Sequence, residues 1–161
     1  MVKGPDKVRT AADARALVTE RGLAHVKIAV VDHDGILRGK YMGRDKFFSA
    51  LDKGFGFCDV VLGWDSNDQL YDNSRYTGWH TAYPDVGVRV LPATCREIPF
   101  EDNMLFFLGE FSGAAEAICP RGLLRRVLAR AADSGFLVNA AAEFEFFVFN
   151  ETPDSIREKG Y

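Results

Sequence analysis

A chain of 161 residues can bury one proper core and is short for two. With 47% hydrophobic and 27% charged residues it reads as globular rather than intrinsically disordered, and a formal net charge of -3 argues against a nucleic-acid partner. No apolar run approaches membrane-spanning length, the charged start Met1 to Lys7 is no secretory signal, and Cys58, Cys95 and Cys119 are far apart, which fits a reducing cytoplasm.

Thr10-Ala11-Ala12-Asp13 resembles a capping box and Leu17 and Val18 share a face, so a short helix is predicted from about Ala11 to Arg21, before Gly22. His25 to Val31 and Ile36 to Met42 flank the turn-forming Asp32-His33-Asp34-Gly35, the pattern of a β-hairpin. A helix over Arg44 to Lys53 should bury Phe47, Phe48 and Leu51 and stop at Gly54. Cys58 to Leu62 reads as a third strand. Between Gly63 and Asp85 no period survives, and so long a loop is usually functional or mobile. Trp64 and Trp79 in it either pack against a neighbour or anchor the loop.

Strands resume at Val86 to Leu91 and Met104 to Phe111. About five strands with a crossing helix give an α+β fold of β-grasp type over residues 1–112. Ser112 to Ala117 is a small-residue linker, and a second unit begins at 113. There Pro120 opens a helix with Leu123, Leu124, Val127, Leu128 and Ala131 on one face. Gly135 ends it, and Phe136 to Phe149 reads as a long apolar strand.

On such a strand Glu143 and Glu145 point to one side with Cα atoms roughly 6 to 7 Å apart, in a stretch otherwise rich in phenylalanine. Two like charges there need a cation or a proton, and a hard divalent ion, Mg2+ or Mn2+, is the natural compensator. Spacing alone leaves this reading level with an ordinary solvated strand face. Glycosidases also pair carboxylates, at separations of about 5 to 9 Å. Arg38 and Lys40 share a strand face and read as either a phosphate clamp or a solvated face.

Cys119-Pro120-Arg121 through Arg125-Arg126, then Gly135, then Ala142-Glu143-Phe144-Glu145-Phe146-Phe147-Val148-Phe149 resemble the helix and strand that open the catalytic domain of glutamine synthetases. Asp32-x-x-Gly35-x-x-Arg38-Gly39-Lys40 is similar to the hairpin of that family's β-grasp domain. The resemblance implies a β-grasp-like N-terminal domain followed by the first helix-strand unit of a catalytic domain. It implies Glu145 holding the divalent metal nearer glutamate and Glu143 the one nearer the ATP phosphates.

Trp64-Asp65-Ser66-Asn67 looks like the family's aromatic-Asp-Gly-Ser-Ser stretch, whose aspartate serves the active site of a neighbouring subunit in a homo-oligomer. Asp65 is therefore the candidate for helping to bind ammonium and take its proton, with Asp59 as the rival and a mere Asx-turn as the third choice. The implied reaction phosphorylates the γ-carboxylate of glutamate with ATP and lets ammonia attack the γ-glutamyl phosphate. An amine or polyamine in place of ammonia is the runner-up, and a non-catalytic β-grasp interaction module the reading from another class. Residues 113–161 are then only the start of a catalytic domain. The chain is expected to be an inactive fragment that associates through its last strand, or is disordered after Asn150.

Overall fold

The computed structural model describes residues 4–160. Helix α1 spans Ala11–Glu20, and its start is the predicted capping box: Asp13 N donates to Thr10 Oγ1 at 3.1 Å and Thr10 N donates back to Asp13 Oδ2 at 2.9 Å. Such a cap stabilises by about 1 kcal/mol. Strands β1 (His25–Val31) and β2 (Leu37–Gly43) form the expected hairpin, in register from His25 opposite Gly43 to Val31 opposite Leu37. Helix α2 (Arg44–Lys53) comes next and ends at Gly54, whose φ of +72° suits glycine and where a Cβ would stand 2.6 Å from Val88 O.

The third strand lies earlier than its sequence suggests. Strand β3 is Phe55–Cys58, paired antiparallel with β4, while Asp59–Leu62 turns as a 3-10 segment. The β-branched run there looked like a strand, but Asp59 N donates to Pro84 O and Gly63 N to Val60 O, so its backbone is committed to turns.

Strand β4 runs from Asp85 to Glu97, well past the predicted end, with a register shift between Leu91 and Arg96. Pro92 has no N–H for the ladder, and Thr94 patches the irregularity by donating to Leu91 O and accepting from Leu108 N. Strand β5 is Leu105–Phe111.

The sheet order is β2-β1-β5-β4-β3, with β5 parallel to β1 and the other neighbours antiparallel. The fold is mixed α+β, and its sheet curls enough to bring Lys40 Nζ on one edge strand within 4.8 Å of the Phe57 ring centroid on the other. One core cluster lies between the sheet and the two helices and includes Leu17, Val18, Ile28, Phe47 and Phe107. The rings of Phe47 and Phe107 sit 4.7 Å apart and fully buried, each stabilising by about 2 to 3 kcal/mol. A second cluster, with Val30, Val61, Val88, Phe111, Ala115 and Cys119, joins the sheet to the segment after β5.

The predicted linker is a 3-10 turn, Gly113–Ala117, held by buried Ala115. Helix α3 (Pro120–Asp133) starts on its proline, yet Leu123, Leu124, Val127 and Leu128 are exposed, since nothing among the described residues covers them. The strand expected over Phe136 to Phe149 does not form: those residues belong to no sheet and are exposed. A strand needs a partner for its backbone groups, and none lies beside this one among the described residues.

Disorder after Asn150 is not what the structure has. Helix α4 (Pro153–Lys159) is capped by Thr152, which accepts from Ser155 N, opens on a proline, and is closed by left-handed Gly160 (φ +78°). These end signals, with the Arg157–Asp154 and Lys159–Glu151 ion pairs, favour a short polar helix here.

Candidate functional site

The long loop is built around two aspartates in different settings. Asp59 is 2% exposed and accepts a 2.5 Å hydrogen bond from Thr77 Oγ1, itself fully buried. This pair closes the loop over the second core cluster. Asp65 is half-buried and caps its own turn, Oδ1 accepting from Asn67 N at 2.8 Å and Gln69 N at 2.9 Å. Both hydrogen bonds to the carboxylate go to Oδ1, so Oδ2 has no such partner among the described residues. Residues 64 to 70 close into a small hairpin-like unit through the Trp64–Leu70 bridge and the bond from Asp65 N to Gln69 O.

Trp64 packs against the second core cluster and so anchors the loop, whereas Trp79 is 80% exposed, edge-on to Tyr83. Ala82 and Tyr83 carry successive positive φ values of +57° and +48°, an uncommon conformation for residues with a side chain.

Arg38 is not free to clamp a phosphate. Its Nε donates to Asp32 Oδ2 at 2.7 Å, its Nη1 pairs with Asp68 Oδ1 at 2.7 Å, and its guanidinium lies 5.0 Å from the Trp64 ring centroid. Lys40 is exposed but holds its ammonium over Phe55 and Phe57. Asp32 is wholly buried, and its Oδ1 accepts from the backbone N–H groups of Asp34 and Ile36 in the hairpin turn. The Tyr71 hydroxyl is pushed above its ordinary value, first by burial and then by the carboxylates of Asp34, Asp65 and Asp32.

Glu143 and Glu145 are exposed on residues 136–149, with no salt bridge or hydrogen bond to either among the described residues. They lie on a different part of the chain from Asp59 and Asp65, and no group of three or more His, Cys, Asp or Glu side chains gathers as a metal centre among the described residues. Their oxygens are of the hard donor type that divalent ions such as Mg2+ and Mn2+ take. His25 and His33 stand edge-on to Tyr41 and Tyr71, and His80 lies near Arg75 O.

Sequence reasoning missed Glu110. It is buried on β5, accepts from Arg89 Nε and Nη2, and lies 3.7 Å from Arg125 Nε on α3. Its position in the alternation of β5 gave no signal, because Gly109, Glu110 and Phe111 are all buried in succession.

The family model for the glutamine synthetase catalytic domain matches residues 117–161. The chain is 44% identical over 139 residues to type-1 glutamine synthetase 2 of Dictyostelium discoideum, covering 84% of this chain and 27% of that protein. It is 31% identical over 147 residues to a glutamate–isopropylamine ligase of a Pseudomonas species, covering 88% and 32%. Among solved structures, GmaS in complex with ADP superposes with a TM-score of 0.56 at 18% identity over 75% of this chain and 26% of that one. The cryo-EM structure of Plasmodium falciparum glutamine synthetase gives 0.56 at 13% identity over 78% and 23%. The chain spans 27% and 32% of the lengths of the two curated relatives.

Proposed function

Since the chain belongs to the glutamine synthetase family, we propose that it supplies the N-terminal part and the opening of the catalytic part of an ATP-dependent carbon–nitrogen ligase. The reaction is phosphorylation of the γ-carboxylate of glutamate followed by attack of ammonia. The observation that carries this reading is the catalytic-domain match over residues 117–161, the stretch that contains Glu143 and Glu145. We assign residues 1–112 to a β-grasp domain, in line with a hairpin beside a central parallel strand and a helix crossing between β2 and β3.

Glu143 and Glu145 are the proposed ligands for Mg2+ or Mn2+, Glu145 on the glutamate side and Glu143 on the phosphate side. Held by these two carboxylates, a divalent ion would supply charge neutralisation for phosphate oxygens. Asp65 is the proposed ammonium-binding carboxylate, offered to a neighbouring subunit of a cytoplasmic homo-oligomer. Its half-buried carboxylate with an unengaged Oδ2 suits that role better than the rival Asp59, which is enclosed with Thr77.

A second reading, with an amine as nitrogen donor, has its own support in the 31% identity to the isopropylamine ligase and the 28% identity to a γ-glutamylethanolamide synthetase of Streptomyces coelicolor. The test is glutamate-dependent phosphate release from ATP by the ligase containing this segment, with ammonium, isopropylamine or ethanolamine as donor. Turnover with ammonium, reduced about a hundredfold or more by Glu143→Gln or Glu145→Gln, is the expected result. Preference for an amine selects the second reading, and undiminished turnover in both variants overturns the metal assignment.

A further inference from the structure

Arg38 joins two pieces of chain that the sequence keeps apart. Behind it stands Asp32, which is fully buried and whose other oxygen is tied to two backbone N–H groups of the hairpin turn. In front of it stand Trp64 and Asp68, which bracket Asp65. The Trp64 ring lies under the guanidinium at 5.0 Å, and the Asp68 carboxylate takes Nη1 at 2.7 Å. Asp68 makes this contact from a φ of +61°, a conformation whose cost the surroundings must offset. Arg38 Nη2 and Trp64 Nε1 are both buried without an acceptor among the described residues, so the inner side of the stack is shielded while Asp68 stays exposed at its outer edge. A guanidinium serves all three partners because it is planar and forked, which an ammonium is not.

We infer that Arg38 is a positioning residue, fixing the Asp65 carboxylate by clamping Asp68 and Trp64 onto the hairpin turn. Its relevance to ammonium binding rests on the ligase reading above, but the clamp itself does not. The loop unit of residues 64 to 70 is closed by its own hydrogen bonds, and its tip is tied down through the guanidinium. Loss of the clamp should therefore release the unit while the sheet stays folded.

The test is backbone amide hydrogen exchange of the 161-residue chain, read at Asn67 and Gln69, whose N–H groups donate to Asp65 Oδ1. Arg38→Met should speed their exchange about tenfold or more while amides of β1 and β5 keep their protection. In a Trp79→Phe background, where Trp64 is the remaining tryptophan, its emission should shift in the same variant. Arg38→Lys should restore only part of both signals. Unchanged protection at Asn67 and Gln69 in Arg38→Met would overturn the clamp. Should the buried Asp32 charge unfold that variant, Asp32→Asn/Arg38→Met removes the charge and the same two amides decide. No substrate enters this experiment. Failure of the Asp65 assignment would instead appear as undiminished turnover of Asp65→Asn, and failure of the ligase reading as absence of glutamate-dependent phosphate release by the ligase containing this segment.

Discussion

Glu110 on the central strand β5 and Arg125 on α3 face each other across the junction of sheet and helix, with 3.7 Å between Oε1 and Nε. Arg89 occupies the other oxygen of Glu110, and Arg125 Nη2 also reaches Glu116 at 2.5 Å, so two acids and two arginines form a neutral cluster. Only Glu110 is buried in it; both arginines are about half exposed. Glu110→Ala should thus cost about 2 kcal/mol, below the 3 to 5 of a fully buried pair, because the freed guanidinium groups regain water. Glu110→Gln should cost less. Urea unfolding measures both, and a loss under about 0.5 kcal/mol would mean that α3 is held by Ala115 and Cys119 packing alone.

Lys27, Glu101 and Tyr41 form a second polar cluster, between β1, the β4–β5 turn and β2. The hydrogen bond from Lys27, ahead of that from Tyr41, holds the Glu101 carboxyl below its ordinary value of 4.5, and the same bond to Glu101 holds Lys27 above its ordinary 10.5. A depressed acid adds stability that is complete above its unfolded pKa and lost as pH falls through the folded one. A raised base adds stability that is complete below its unfolded pKa and lost as pH rises through the folded one. The cluster should therefore contribute fully between about pH 5 and pH 10. Thermal unfolding of Glu101→Gln against the parent chain should show a gap at pH 7 that narrows as the pH falls into the acid range and Glu101 takes up its proton. A gap that persists in acid would assign the loss to packing.

The three thiols should behave differently. Burial pushes the Cys95 thiol up to about 11, overriding the nearby Arg21 and Arg96, and Cys119 is buried as well. Cys58 is half-buried and donates to Tyr83 O. At pH 8 an alkylating reagent should modify Cys58 first, and reach Cys95 only at the rate of global opening. Peptide mapping that finds Cys95 labelled as fast as Cys58 would contradict the enclosed core around it.

What could be read in advance was local. The Thr10–Asp13 cap, the hairpin and α2 emerged with nearly their predicted ends because adjacent residues decide them. The placement of β3 failed because Val60, Val61 and Leu62 have strand-like side chains while Thr77 and Pro84, some twenty residues on, hold Asp59 in a turn. The candidate site divided the same way. Asp65 could be picked out as a candidate by the break in pattern and its motif, whereas the contacts of Arg38 appear only once Asp68 folds against it. Glu143 and Glu145 were read on a strand, and alternation says nothing of whether a neighbour exists to pair with it.

That neighbour governs the behaviour of residues 136–149. Phe136, Leu137, Phe144, Phe146, Phe147 and Phe149 are all at least 70% exposed, and the segment belongs to no sheet. Apolar side chains beside unpaired backbone groups form a template for another strand, and the exposed leucines of α3 extend the same surface. The 161-residue chain by itself should associate in sedimentation velocity as its concentration rises. A chain ending at Ser134 keeps both core clusters intact and should sediment more nearly as a monomer. Replacing Phe144 and Phe146 by lysine should act in the same direction without shortening the chain, because charge on an unpaired strand opposes edge-to-edge pairing. If the full chain sediments as a monomer over about a hundredfold range of concentration, the segment is covered in solution by contacts within the chain that leave its phenylalanines inaccessible.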